Sequence, residues 1–396
     1  MKRPNWKFDT LLATLFVFIV TGILGLIAID LKILDPFARG FKDFDFTNIY
    51  YSKIRKKQIK IDTNICIVNC ANLQRDSIAL LISIINRQQP KVIGIDLYFS
   101  GRKEPLYDSL LKLALNDLNN TVLAYIINNN GTGRKGACAD PYFGKFKMGY
   151  SNFFPNNNGP TTIYSFKPFF KTNNGTYLSF ASALIRSIDS VAYKKLLSRG
   201  NKMEDIHYKG SKRAFIYKDP KDIFHSGSDL EILKNKVVLI GYTGKNLLDT
   251  ADLKDNNFTP MNPEISGRAY PDMYGVLIHA NIISMMLNKD YINIAPLWLS
   301  WIVAFILCYF HIAFFMYMYV NYHKWFHFTG KLLQFFSSAL LILICFLFYA
   351  YANYKFSMVL AIANILLALD LLYFYEGLVL LIAKKWKIKS VFIKPH

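Results

Sequence analysis

The sequence predicts an α/β fold: an exported, mainly parallel-sheet domain flanked by one N-terminal and three C-terminal transmembrane helices. Three observations predict it. Four apolar runs are long enough to cross a bilayer core of about 30 Å. Basic residues gather at the ends of those runs in a pattern that fixes their direction. Between the first and second runs, segments alternate between strand-like and helix-like patterning. Composition agrees. The 396 residues carry 47 basic and 27 acidic side chains, a net charge of +20, yet 53% are hydrophobic and 16% aromatic. Disordered chains have few aromatics, so disorder is excluded. The apolar residues lie in long runs rather than spread through a soluble basic fold, so no nucleic-acid partner is expected. Five cysteines are too few for a disulfide scaffold.

The first apolar run, 11–29, follows Lys2, Arg3 and Lys7 and contains no charge. The segment after it, DLKILDP, offers no small-residue cleavage site. It reads as a retained signal anchor after a cytoplasmic N-terminus of residues 1–10. The later spans are read at 294–320, 332–352 and 357–383, with a basic tail at 384–396. Trp298, Trp301, Trp325 and Trp386 stand near their ends, where indoles suit the membrane interface. Lys324, Lys331 and five lysines of the tail share one side with the N-terminal basic residues. The other side has a single short-loop lysine, Lys355. The positive-inside rule puts both termini in the cytoplasm, and four spans give the same parity. Residues 30–293 are therefore expected outside, carrying 36 basic and 24 acidic residues. Long domains translocate despite such charge.

Within that segment, NICIVNC (64–70) is a β-rich run. Residues 75–89 place Ile78, Leu81, Ile82 and Ile85 on one helical stripe. KVIGIDLYF (91–99) is a nearly continuous apolar run, as expected of a parallel strand buried on both faces. Residues 104–118 form a helix with Pro105 in its first turn, and TVLAYII (121–127) is a third strand. This β-α-β-α-β order predicts right-handed crossovers. Residues 128–175, rich in Asn, Gly and Pro, read as long loops with irregular hairpins. SFASALIRSI (179–188) is helical, KNKVVLIGYTG (234–244) is a buried strand entering a glycine turn, and 273–290 is a helix leading into the second span.

The order of these pieces resembles a known family. NICIVN, Arg75 before a helix, PKVIGIDLYF, GYSNF, SFASALI, KVVLIGYTG, Asp249, Thr259-Pro260 and YGVLIHANIISMML stand in sequence, followed by three packed spans. Together they look like the CHASE domain of type 2, an extracytoplasmic sensing module of bacterial receptors. The resemblance covers about 30–383. It implies a sensor-like domain and a multi-pass protein of the bacterial inner membrane. Family members usually end in a kinase or nucleotide cyclase, whereas only 13 residues follow the fourth run here. The expected role is a cell-envelope sensor or scaffold subunit whose exported domain binds a ligand or an envelope protein and whose spans pass the signal to a separate envelope or membrane protein; oligomeric assembly is left open. A purely structural docking subunit and an ion-coupled protein using Asp370 are the rivals. The family tends to have acidic residues and an Arg after GYSNF, where this chain has NNNGPTT, so no ligand contact carries over to that loop.

Candidate chemistry is sparse. Ligands of open parallel sheets bind outside the carboxyl ends of strands. Asp96 ends one buried strand, Asp249 follows another, and Arg75 follows the first. These three form the candidate ligand-binding crevice. The competing reading is that they cap helices and pair with one another. The basic outer domain points to an acidic ligand or surface. GYTGK lacks the spacing and the Ser or Thr of a P-loop. No nucleophile–base set and no convergent metal ligands are evident, so no catalytic residue, metal or cofactor is assigned and an enzyme is not expected. His279 reads as structural or interfacial. Cys66 and Cys70 share a strand roughly 13 Å apart and cannot bond each other. Cys138 is left with two readings, a disulfide to one of them or a free thiol. In the spans, His311, Asp370 and Glu376 are the unusual polar residues. By depth His311 could pair with either carboxylate, as a proton or ion path or as a plain interhelical hydrogen bond.

Overall fold

A computed structural model of the chain describes residues 6–30, 50–51, 60–128, 136–154, 162–173, 175–225, 229–244, 255–262, 270–386 and 390–393. It divides into two compact units, residues 39–292 and residues 1–38 with 293–396.

The larger unit is built on a six-stranded sheet. Its strands are β1 (Asp62–Asn69), β2 (Val92–Asp96), β3 (Thr121–Tyr125), β4 (Lys147–Tyr150), β5 (Phe215–Lys218) and β6 (Val237–Gly241). The order across the sheet is β4-β3-β2-β6-β1-β5, and every pairing is parallel. The apolar run of VIGID is buried from Val92 to Ile95, and VVLIG and TVLAY are buried throughout. Such runs can lie only between two covering layers. Helices α1 (Arg75–Arg87) and α2 (Pro105–Asn116) make the crossovers from β1 to β2 and from β2 to β3. Both crossovers move the same way along the sheet, so right-handedness puts the two helices on one face. Their inward residues are Ile78, Leu81, Ile82 and Ile85 on α1 and Leu111 and Leu115 on α2.

Helices α3 (Phe180–Ile188) and α4 (Gly275–Asn288) pack on the sheet and against each other. Three glycines let them approach closely. A Cβ on Gly149 would lie 2.5 Å from the Phe180 Cα, one on Gly94 would lie 2.9 Å from Leu184, and one on Gly241 would lie 2.8 Å from Val276. Helix α4 is buried from Gly275 to Met286, so its polar residues need partners inside. Asn281 accepts from the backbone N–H groups of Lys209 (2.6 Å) and Gly210 (3.1 Å) and donates to the Gly210 and Leu277 carbonyls. Ser284 donates to Asp62 at 2.5 Å, and Asn288 and Lys209 donate to the same carboxylate. Burial opposes the charge on Asp62, yet these donors hold its carboxyl below the usual carboxylate range.

In the smaller unit, four helices run Trp6–Asp30 (α5), Leu297–Asn321 (α6), Phe326–Ala352 (α7) and Val359–Lys385 (α8). Each is long and apolar enough to cross a membrane. Helix α8 is central, packing against the other three. Val17, Ile312, Phe315, Leu369, Leu372 and Tyr375 are core residues of this bundle. Asp9 near the start of α5 accepts from the Val391 N–H at 2.7 Å, so the start of α5 and the segment after α8 meet at one end of the bundle. At the other end, Asn293–Ile294 pairs in parallel with Tyr354–Lys355. Helix α7 begins at Phe326, which places Lys331 inside it rather than in a loop.

The glycine strip makes a direct prediction. Gly149→Ala forces the Phe180 backbone to move and should destabilise the chain by about 1–3 kcal/mol, seen as a lower Tm in detergent. Gly22→Ala, inside α5 and with nothing within 4 Å of the new Cβ, should not lower Tm.

Candidate functional site

The sheet carries a natural crevice. The chain steps from β1 over the place of β6 to β2, continues outward to β4, and later inserts β6 between β1 and β2. The carboxyl ends of β1, β6 and β2 therefore stand side by side at one edge of the sheet, the edge at which open parallel sheets bind ligands. Asp96 and Gly241 are the last residues of β2 and β6 and pair in register. At the end of β1, Asn69 ties the turns together. Its amide donates to Asp219 and to the Gly244 carbonyl, both at 3.0 Å, and its Oδ1 accepts from the N–H groups of Ala71 and Thr243.

Beside Asp96 lies a cavity of about 320 Å³. Asp96 and Asp255 both line it. Asp255 is placed by the antiparallel pairing of Asn256–Asn257 with Met273–Tyr274, which brings it to the first residue of α4. The Gly275 N–H donates to the Asp255 carbonyl at 3.2 Å, and a Cβ on Gly275 would lie 3.2 Å from a carboxylate oxygen of Asp255. Glycine is what leaves room there. Asp255 has φ +58°, a left-handed backbone that Asp tolerates better than most residues. Tyr98 and Ser151 share a 2.7 Å hydroxyl hydrogen bond at the rim. Asn152 is locked by Ile127, accepting from its N–H at 2.7 Å and donating to its carbonyl at 3.1 Å.

The floor is His279 of α4, which is 3% exposed. Its ring stacks on Phe153 with centroids 4.7 Å apart and meets Phe180 edge-on. Neither ring nitrogen has a hydrogen-bond partner of normal geometry, although the Ser151 backbone lies close. Burial pushes its pKa down to about 3, so the ring is neutral. Burial, reinforced by the facing charge of Asp255, pushes the Asp96 carboxyl up to about 8.

Of the three sequence candidates, Asp96 alone is seen in this crevice. Arg75 points elsewhere. Its guanidinium donates to Asp108 on α2 at 2.5 Å and to the carbonyls of Ser100 and Gly101, and both members of the ion pair are buried. Burial works against the Asp108 charge, and the Arg75 contact overcomes it and holds that carboxyl below the usual range. Arg75 thus fixes the loop after β2 to the α1–α2 layer. Asp249 and the 155–161 loop lie outside the described residues. The sequence reading missed Asp255. Ser151, Asn152 and Phe153 belong to one motif and His279 to another, and nothing in their spacing joins them into one site. The GYSNF motif was the available signal, since its residues follow β4 at the carboxyl edge of the sheet.

The polar residues of the spans do not gather. His311 faces the Leu307 carbonyl at 2.7 Å and Ser337 Oγ at 2.9 Å. Glu376 accepts from the Tyr319 hydroxyl at 2.8 Å. Asp370 pairs with Lys331 at 2.9 Å, and both side chains are more than half exposed on the bundle surface. Among the described residues, no group of three or more His, Cys, Asp or Glu side chains has metal-holding geometry. All five cysteines, Cys138 included, are free.

A family model described as the CHASE2 domain matches residues 11–316. No curated protein and no solved structure matches the chain.

The crevice makes a pH prediction. A carboxyl whose folded pKa is raised binds a proton that the unfolded chain has lost, so its contribution to stability falls as pH rises from about 4 to about 8. The Tm of the full chain in detergent should therefore drop from pH 6 to pH 9, and Asp96→Asn should flatten that drop. A variant with the wild-type slope would contradict the placement of Asp96.

Proposed function

The chain belongs to the CHASE2 family of extracytoplasmic sensor-type domains, and on that premise we propose that it is a cell-envelope sensor subunit whose crevice binds a small ligand and whose spans pass the signal to a partner protein. One observation carries the reading: the floor of the crevice and the lead into the membrane unit belong to a single helix. His279 sits in α4, and only residues 289–296 separate the end of α4 from the start of α6. That connector is held on both sides. Asp290 pairs with His207 at 2.8 Å, and the Ile292 carbonyl accepts from Arg199 at 2.9 Å. Arg199 is itself locked to Glu204 through two nitrogens. The next residue, Asn293, already donates to Asn353 in the membrane unit, and Ala295 donates to Lys355. Residues 290–292 are thus tied to the α/β unit, and residues 293–295 to the membrane unit.

In this reading the α/β unit is periplasmic, both termini are cytoplasmic, and the host is a bacterial inner membrane. The junction of Asp9 with Val391 supports the termini sharing a side. The exposed Lys331–Asp370 pair supports a protein neighbour, because two charges on an apolar bundle surface are costly against lipid alone. A second reading, a docking subunit, is favoured by Leu80 of α1 and Leu106, Leu110 and Leu113 of α2. These are all exposed on one outer layer, and Leu80, Leu110 and Leu113 border a groove of about 680 Å³.

Affinity capture of the full chain from its native membrane should yield a stoichiometric membrane partner, and Asp370→Leu should weaken that capture. Substituting the four exposed leucines by Ser should spare it under the sensor reading and abolish it under the docking reading. Periplasm-active reporters fused at about residue 150 should be active, and those at the C-terminus silent. A cytoplasmic signal from position 150 would overturn the topology.

A further inference from the structure

The crevice is acidic inside a basic domain. Among its described lining residues there is no Lys or Arg, while Asp96 and Asp255 both face the cavity. Asp96 makes no ion pair or side-chain hydrogen bond with the described residues, in contrast to Asp62 and Asp108, whose carboxylates are fully engaged. A second observation is independent of the carboxylates. His279 is almost wholly buried, lines the same cavity, and has both ring nitrogens without a normal partner. Buried polar atoms in native proteins are nearly always satisfied, and an orphan at the floor of a cavity calls for a group that enters it.

We propose that the crevice binds a small organic cation, a primary ammonium or guanidinium on a compact apolar body, with its N–H groups among Asp96, Asp255 and His279 and the body against Phe153. This rests on the reading of the crevice as the binding site of the domain. Size and geometry select the organic class. A cavity of about 320 Å³ is far larger than a bare ion needs and lies at the lower end of the ~300–1,000 Å³ range of small-molecule pockets. No three ligating side chains among the described residues converge for a metal. The aromatic rings of Tyr98 and Phe153 offer faces that attract an ammonium or guanidinium. Ile126 and Ile163 supply apolar wall. The hydroxyls of Tyr98 and Ser151 already satisfy each other, so recognition falls to the carboxylates and the imidazole.

The test uses the full chain in nanodiscs with phenethylamine, agmatine and putrescine as cations, 2-phenylethanol as the neutral match of phenethylamine, and magnesium chloride. At millimolar concentration at least one amine should raise Tm by about 3 °C, and 2-phenylethanol should not. Asp96→Asn and Asp255→Asn should each weaken the amine about tenfold or more by calorimetry, while their Tm without amine confirms folding. No shift from any of the three amines overturns the proposal. So does an equal shift from 2-phenylethanol, a shift from magnesium alone, or amine affinity unchanged in both variants. Amine binding that leaves partner capture unaltered would keep the cation and overturn the sensing role. Partner capture that responds to a neutral molecule would do the reverse.

Discussion

The burial of α4 is the constraint on which the rest of the domain depends. A helix apolar on nearly every side must be buried in a protein core or a membrane, and this one lies inside the α/β unit from Gly275 to Met286. Its depth requires the sheet to be smooth beneath it, which Gly241 provides. It also requires each polar side chain it carries to be satisfied internally. Asn281 meets this by clamping the backbone at 209–210, and Ser284 by donating to Asp62 at the start of β1. These two contacts fix the axial position and the rotation of the helix. His279, on the same helix, is the exception. Two polar residues solved and one unsolved, within six positions, is a pattern that packing alone does not demand. The unsolved residue is the one that meets the cavity.

Much of the architecture was legible because it is written in periodicity. Continuous apolar runs such as VVLIG, with helical stripes between them, specify a parallel sheet covered on both faces, and the helix of 273–290 was visible as an apolar block. The crevice was less legible for a physical reason. Asp255 owes its place to a two-residue antiparallel pairing and a left-handed backbone, and neither leaves a repeating pattern. Arg75 stands where a ligand-binding side chain could stand, after a strand and before a helix. Its partner Asp108 lies thirty-three residues away on α2, where it reads as an ordinary acidic residue in a first helical turn. The membrane carboxylates show the same limit. Depth along each helix put His311, Asp370 and Glu376 at similar levels, but depth does not report which face of a helix a residue occupies. Lys331 reads as a loop residue because His327, Thr329 and Gly330 interrupt the hydropathy there, while the helix continues through them.

Net charge and local charge also separate. A domain with twelve more basic than acidic residues suggests an acidic partner when only its sum is known. The sum describes the long-range field, which decays over about 10 Å in salt. A ligand inside a crevice feels mainly its immediate walls. Those walls carry Asp96 and Asp255 and, among the described residues, no lysine or arginine. The two statements therefore concern different partners: an extended surface outside, and a small molecule within. Asp96 and Asp255 line one partly dry site, where burial and the Asp255 charge favour a proton on Asp96. The fold supplies Gly275 to make room for one carboxyl and the end of β2 to hold the other. A cation that arrives from outside favours the ionised form of Asp96 only while it is bound. The difference between the two states of the site is then available to shift α4, as a sensing site requires.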